Sequence, residues 1–95
     1  MPDLRIEKSH QFDFMTARTQ AKKWLEEAKQ EFEFDATYQE GVDTDTVSIT
    51  KSGVNGRAIL DAQKVVFEAD LNFLAKPFKG VISSGIQEGL DKFFA

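Results

Sequence analysis

Leu71-Asn72-Phe73-Leu74-Ala75-Lys76-Pro77-Phe78-Lys79-Gly80 joins two segments of different hydrophobic period. On its N-terminal side Val65, Phe67, Ala69, Leu71 and Phe73 alternate with Glu68, Asp70 and Asn72. That is the pattern of a half-buried strand, expected over Lys64 to Leu74. On its C-terminal side Phe78, Ile82, Ile86, Leu90 and Phe93 recur every three or four residues, the pattern of an amphipathic helix. Pro77 fixes its own φ, lacks an N–H and pushes Lys76 out of the helical region, so it suits a first helical turn and not a strand interior. Phe78 is then expected to anchor the helix against the sheet.

Working outward, Leu4, Ile6 and Lys8 alternate with Arg5 and Glu7 in a short strand suited to a sheet edge. Ala17, Ala21, Trp24, Leu25, Ala28 and Phe32 share one face of a helix over about Asp13 to Phe32, with Arg18, Lys22, Lys23, Glu26 and Glu27 on the other. Asp13 and Thr16 are its candidate caps. Phe34, Ala36 and Tyr38 alternate in a second strand, Glu40 to Asp45 reads as a turn, and Val47 and Ile49 mark a third strand. Asn55-Gly56 within Ser52-Gly53-Val54-Asn55-Gly56 is a tight-turn signal, since both residues tolerate positive φ. Arg57 to Leu60 is the fourth strand. The order β-α-β-β-β-β-α implies one α+β domain over residues 1–95, an antiparallel meander with two helices packed on one face, like a reduced helix-grip fold.

Composition narrows the function. Nothing approaches the roughly 18 apolar residues of a spanning helix, and the N-terminus shows no secretory pattern. The chain has no cysteine, which removes disulfides, thiol catalysis and thiolate metal sites and is compatible with a cytoplasmic location. The net charge is −4, and Glu31, Glu33, Asp35, Glu40, Asp43 and Asp45 follow one another with no Lys or Arg between Lys29 and Lys51. Such a surface repels phosphates and argues against nucleic acid. The acidic run reads as a solvated strand face and loop, or else as a docking patch for a basic partner.

No constellation of reactive groups emerges. His10 is the only histidine and lies at a strand-to-helix turn, where a structural hydrogen bond is expected. Ser83 and Ser84 lack a base at helical spacing, and Gly53 to Gly56 lacks the Gly-Lys-Ser/Thr end of a phosphate loop. Asp43 and Asp45 supply too few ligands for a calcium loop. Glu68 and Asp70 share one strand face, where carboxylates usually serve solvation. No enzyme activity, cofactor or metal is expected.

Two features lie outside that census. Of nine phenylalanines, Phe32, Phe34, Phe67, Phe73, Phe78 and Phe93 fall on apolar stripes, which leaves Phe12, Phe14 and Phe94 as a candidate interaction surface. Gly85 and Gly89, one turn apart in the last helix, allow close packing over a sheet residue or a helix contact in a homodimer.

With these residues in view, the chain resembles the polyhydroxyalkanoic acid system proteins, also called the polyhydroxyalkanoate granule-region family. The resemblance covers nearly the whole length. It rests on Ile6-Glu7-Lys8-Ser9-His10, Lys51-Ser52-Gly53-Val54-Asn55-Gly56-Arg57, Leu71 to Gly80 and Leu90-Asp91-Lys92-Phe93. Gly85 and Gly89 depart from a more charged last helix in that family. The resemblance implies a non-enzymatic accessory protein of polyester storage, placed at the granule surface or bound to a granule protein through an apolar patch. It assigns no catalytic residue. The alternative is a hydrophobic-ligand protein that takes acyl or hydroxyacyl groups between the sheet and the last helix.

Overall fold

Each strand of the meander has one apolar side, and the register stacks those sides into a single face. The computed structural model describes residues 2–94. Strands β1 (Leu4–Ser9), β2 (Asp35–Gln39), β3 (Asp45–Lys51), β4 (Val54–Leu60) and β5 (Lys64–Leu71) form one antiparallel sheet in the order β1-β5-β4-β3-β2. Helix α1 (Phe14–Phe32) follows β1, and a 3₁₀ turn at Lys76–Phe78 leads into α2 (Lys79–Phe94). The expected α+β order is observed.

Four cross-strand rows face the helices: Leu4, Ala69, Gly56, Ile49 and Ala36; Ile6, Phe67, Ala58, Val47 and Tyr38; Lys8, Val65, Leu60 and Asp45; and Leu71, Val54 and Lys51. Ala17, Ala21 and Trp24 of α1 and Leu90 and Phe94 of α2 complete the core. Trp24 meets Phe67 edge-on at 6.4 Å between ring centroids. The opposite face is polar, with Arg5, Glu7, Glu68, Arg57 and Asp70 joined in ion pairs. Glu68 and Asp70 therefore sit on the solvated, charge-paired side.

Five local expectations are corrected. The tight turn between β3 and β4 is at Ser52-Gly53, where Gly53 has φ 84°, and Asn55-Gly56 lies inside β4. Gly56 serves packing, since a Cβ there would come within 3.2 Å of the Phe67 ring. Strand β5 stops at Leu71, because Asn72 turns the chain and its Oδ1 accepts from the Leu74 and Ala75 amides at 3.0 and 3.1 Å. Phe73 thereby leaves the strand's alternation and is 79% exposed.

Phe32 is also exposed. A 19-residue helix is about 28 Å long, whereas the seven-residue strands β3 and β4 rise about 23 Å, so the last turn of α1 runs past the sheet. In α2 the apolar residues at 78, 82, 86, 90 and 94 are spaced by four. At about 100° per residue such a stripe drifts about 40° per step and winds around the helix. Leu90 and Phe94 reach the core, Ile82 and Ile86 are half-buried, and Phe78 is left out in solvent.

Candidate interaction surface

The two ends of the sheet carry opposite chemistry. β3 runs from Asp45, paired with Leu60, to Lys51, paired with Val54, and Val54 in turn pairs with Leu71. Asp45 therefore marks one end and the junction after Leu71 the other.

At the first end Asp45 is fully buried, although the acidic run containing it reads as solvated. Its carboxylate accepts from Arg18 Nε at 2.7 Å, Arg18 Nη2 at 2.8 Å, Tyr38 Oη at 2.5 Å and the Gly41 amide at 3.0 Å. Hydrogen bonding from Arg18 holds the Asp45 carboxyl down at about 2 against the opposing effect of burial, with Tyr38 and Gly41 adding to the depression. Burial pushes the Tyr38 phenol up, and its bond to Asp45 adds to the shift. Arg18 also pairs with Glu40, as does Lys22. Every acceptor direction of Asp45 is occupied, so this is a clasp tying α1 to the β2–β3 loop, with no vacant position for a substrate.

His10, at the same end, is likewise satisfied. Its Nε2 lies 2.9 Å from the Asp61 carbonyl and its Nδ1 accepts from the Phe12 amide at 3.2 Å, which fixes the Nε2–H tautomer. Among the described residues no group of three His, Asp or Glu side chains could hold a metal ion.

At the other end the β3–β4 turn and the β5–α2 junction meet. The Asn72 amide donates to the Gly53 carbonyl at 3.0 Å, and a Cβ on Gly53 would approach Asn72 Oδ1 to 2.9 Å. Ala75, 9% exposed, seals the contact from the junction side. Lys51 reaches the last carbonyls of α1, donating to Phe32 O at 2.6 Å and Glu33 O at 3.1 Å. An open groove of about 580 Å³ runs beside this turn, lined by Asp35, Thr50, Lys51, Ser52, Asn55 and Asp70 among others.

The junction itself is apolar and uncovered. Phe73, Leu74, Phe78 and Val81 are 79, 67, 58 and 74% exposed, and Phe32 at the end of α1 is 56% exposed. The other exposed large apolar residues, Met15, Val42 and Ile59, are scattered. The first half of α2 has no buried residue, and Cβ atoms built at Gly80 or Gly85 would meet nothing within 4 Å. The second half is tightly held, and a Cβ on Gly89 would lie 2.3 Å from Trp24 Nε1.

The residues singled out from the sequence are thus redistributed. Phe94 is 1% exposed and packs with His10 and Phe12, while Phe12 and Phe14 lie half-buried against the core. The three do not form an exposed patch. Residues assigned to the core, Phe73 and Phe78, form the exposed cluster instead. Gly89 supports the close-packing reading, with Trp24 of α1 as the neighbour in place of a sheet residue, and Gly85 faces open space. The second groove, of about 790 Å³, lies on the outer side of α1 beside Phe93, so neither groove opens between the sheet and the helices.

A family model described as "Putative polyhydroxyalkanoic acid system protein" matches residues 4–94. The chain belongs to this family. Two of the four segments that carry the resemblance, Lys51 to Arg57 and Leu71 to Gly80, touch through Gly53 and Asn72. Neither a curated protein nor a solved structure matches the chain.

Proposed function

We propose that the chain is a non-enzymatic accessory protein of polyhydroxyalkanoate storage that attaches to the granule surface through the apolar end of the molecule. The observation that supports this most strongly is the cluster of Phe73, Leu74, Phe78 and Val81, all more than half exposed and all within one stretch of chain. Large apolar side chains massed at one end are costly in water and are compensated when a surface covers them. The family description supplies the setting. Among the described residues no helix is long and apolar enough to cross a membrane. The closed clasp around Asp45 and the structural role of His10 favour a binding protein over an enzyme.

Co-sedimentation with isolated polyester granules tests the reading. Phe73→Ser/Phe78→Ser should move the protein from the granule pellet to the supernatant while its melting temperature stays within a few degrees of the parent's. Equal pelleting of parent and variant would sink the assignment of this surface. The ligand-binding alternative predicts a rise in melting temperature with hydroxyacyl compounds, and neither of the two grooves described above lies between the sheet and the last helix.

A further inference from the structure

The apolar end carries a charge pattern that attachment to a bare polyester does not require. Between Leu71 and Gln87 the chain contains Lys76 and Lys79 and no Asp or Glu, although the whole chain has a net charge of −4. Both lysines are exposed. Lys76 Nζ makes only a long contact to Asp3, at 3.9 Å, and Lys79 has no ion-pair partner among the described residues. Within this stretch Phe78 lies between the two lysines, on the 3₁₀ turn, while Phe73 and Leu74 precede them in the turn after β5 and Val81 follows them in the first turn of α2. That is the composition of an interfacial anchor: apolar groups enter the acyl boundary and lysine heads remain at the phosphates.

Other occupants fit less well. A neutral polymer offers the lysines no counter-charge. A second copy docked through the same stretch would offer Lys76 and Lys79 no carboxylate from residues 71–87. The nearby carboxylates are engaged or set in the adjoining groove: Asp3 accepts from the Leu71 amide at 2.8 Å, and Asp35 and Asp70 line the groove beside the β3–β4 turn.

We propose that this end of the molecule binds an anionic lipid layer, with Phe73, Leu74, Phe78 and Val81 inserted among acyl chains and Lys76 and Lys79 against head-group phosphates. The inference deepens the granule reading and uses the same surface, while naming a different chemistry for what is recognised.

The test uses the full chain with three probes: vesicles of phosphatidylcholine alone, vesicles of phosphatidylcholine containing phosphatidylglycerol, and lipid-free polyhydroxyalkanoate particles. Binding to the anionic vesicles is expected, weakening as salt is added. Lys76→Ala/Lys79→Ala should weaken it about twenty-five-fold, about five-fold per lysine. Phe73→Ser/Phe78→Ser should abolish it, with unchanged circular dichroism for both variants. Equal affinity for the two vesicle types would overturn the role of charge and with it the proposal. Binding to lipid-free particles and to neither vesicle would overturn the lipid occupant and leave the granule reading standing. Binding to none of the three overturns both. A dimer in sedimentation that Phe78→Ser/Val81→Ser dissolves would assign the surface to a second copy and also overturn the proposal.

Discussion

The Asp45 end and the Phe73 end of the sheet differ in a way that ordinary solvation rules would invert. One buries a carboxylate against a half-buried guanidinium; the other exposes two phenylalanines, a leucine and a valine. A buried ion pair is tolerated when geometry and further hydrogen bonds offset desolvation; the Arg18 pair is two-pronged and Asp45 has two further bonds, from Tyr38 and Gly41. The exposed apolar residues at the other end have no corresponding compensation among the described residues. A polar group enclosed with all its bonds made indicates structure, whereas an apolar group left in water with no packing duty indicates recognition.

The contrast is broken most directly at Asp45. Asp45→Ala leaves Arg18, the Tyr38 hydroxyl and the Gly41 amide without their acceptor. The loss should be about 3 kcal/mol, the lower end for breaking a buried pair, because Arg18 retains Glu40 and some access to water. For a domain of this size the melting temperature should fall by roughly 12 to 24 °C. A fall of only a degree or two would mean that the clasp does not hold the β2–β3 loop.

The same group fixes a pH dependence. The folded carboxyl lies at about 2, below its value of 3.8 in the absence of partners, so the folded state favours the charged form. The contribution is complete above about pH 4 and is lost as pH falls from there toward about 2. Asp45→Asn removes that titration. The stability gap between parent and variant, measured in urea, should narrow as the pH is lowered through this window and stay constant from pH 5 to 7. A gap that does not narrow would separate Asp45 from acid unfolding.

Helix α2 repeats the contrast on a smaller scale. Gly89→Ala forces a methyl against the Trp24 ring and should cost about 1 to 3 kcal/mol. Gly85→Ala enters open space and should stabilise the helix by about 1 kcal/mol. Opposite signs in thermal melts would confirm that one half of α2 is core and the other half is free. Two losses of equal size would remove that distinction.

The difference between the two ends was only partly legible in the sequence. Period alone places the five strands, both helices and the sheet's covered face, because burial of one face enforces alternation of 2 or 3.6. The clasp left a faint signal. Asp45 has the same parity as Val47 and Ile49, so extending the strand by one pair puts it on the inner face, facing Arg18 on the flank of the α1 stripe. That partnership spans 27 residues, and no local pattern reports it. The exposed end was masked by the same periodicity that revealed the elements. Phe73 continues an alternation that Asn72 interrupts, and Phe78 continues a spacing of four that winds away from the core. Only the side-chain cap made by Asn72 and the rotation of the helix decide where those rings point.

The smallest expected effect on stability is at the apolar end, and its smallness is informative. Phe73 and Phe78 are 79 and 58% exposed, so truncating each to serine removes little buried area. Surface changes of this kind usually fall within about 0.5 kcal/mol. Serine also lowers the apolar area left in water, so a slight gain in solubility is expected. Thermal melts of Phe73→Ser/Phe78→Ser should therefore overlay the parent within a few degrees. A Phe12→Ser/Phe14→Ser variant should melt clearly lower, because both rings pack against the core, Phe12 beside His10 and Phe94. If the first pair proves as costly as the second, Phe73 and Phe78 have a packing role and the case for a surface built around them fails.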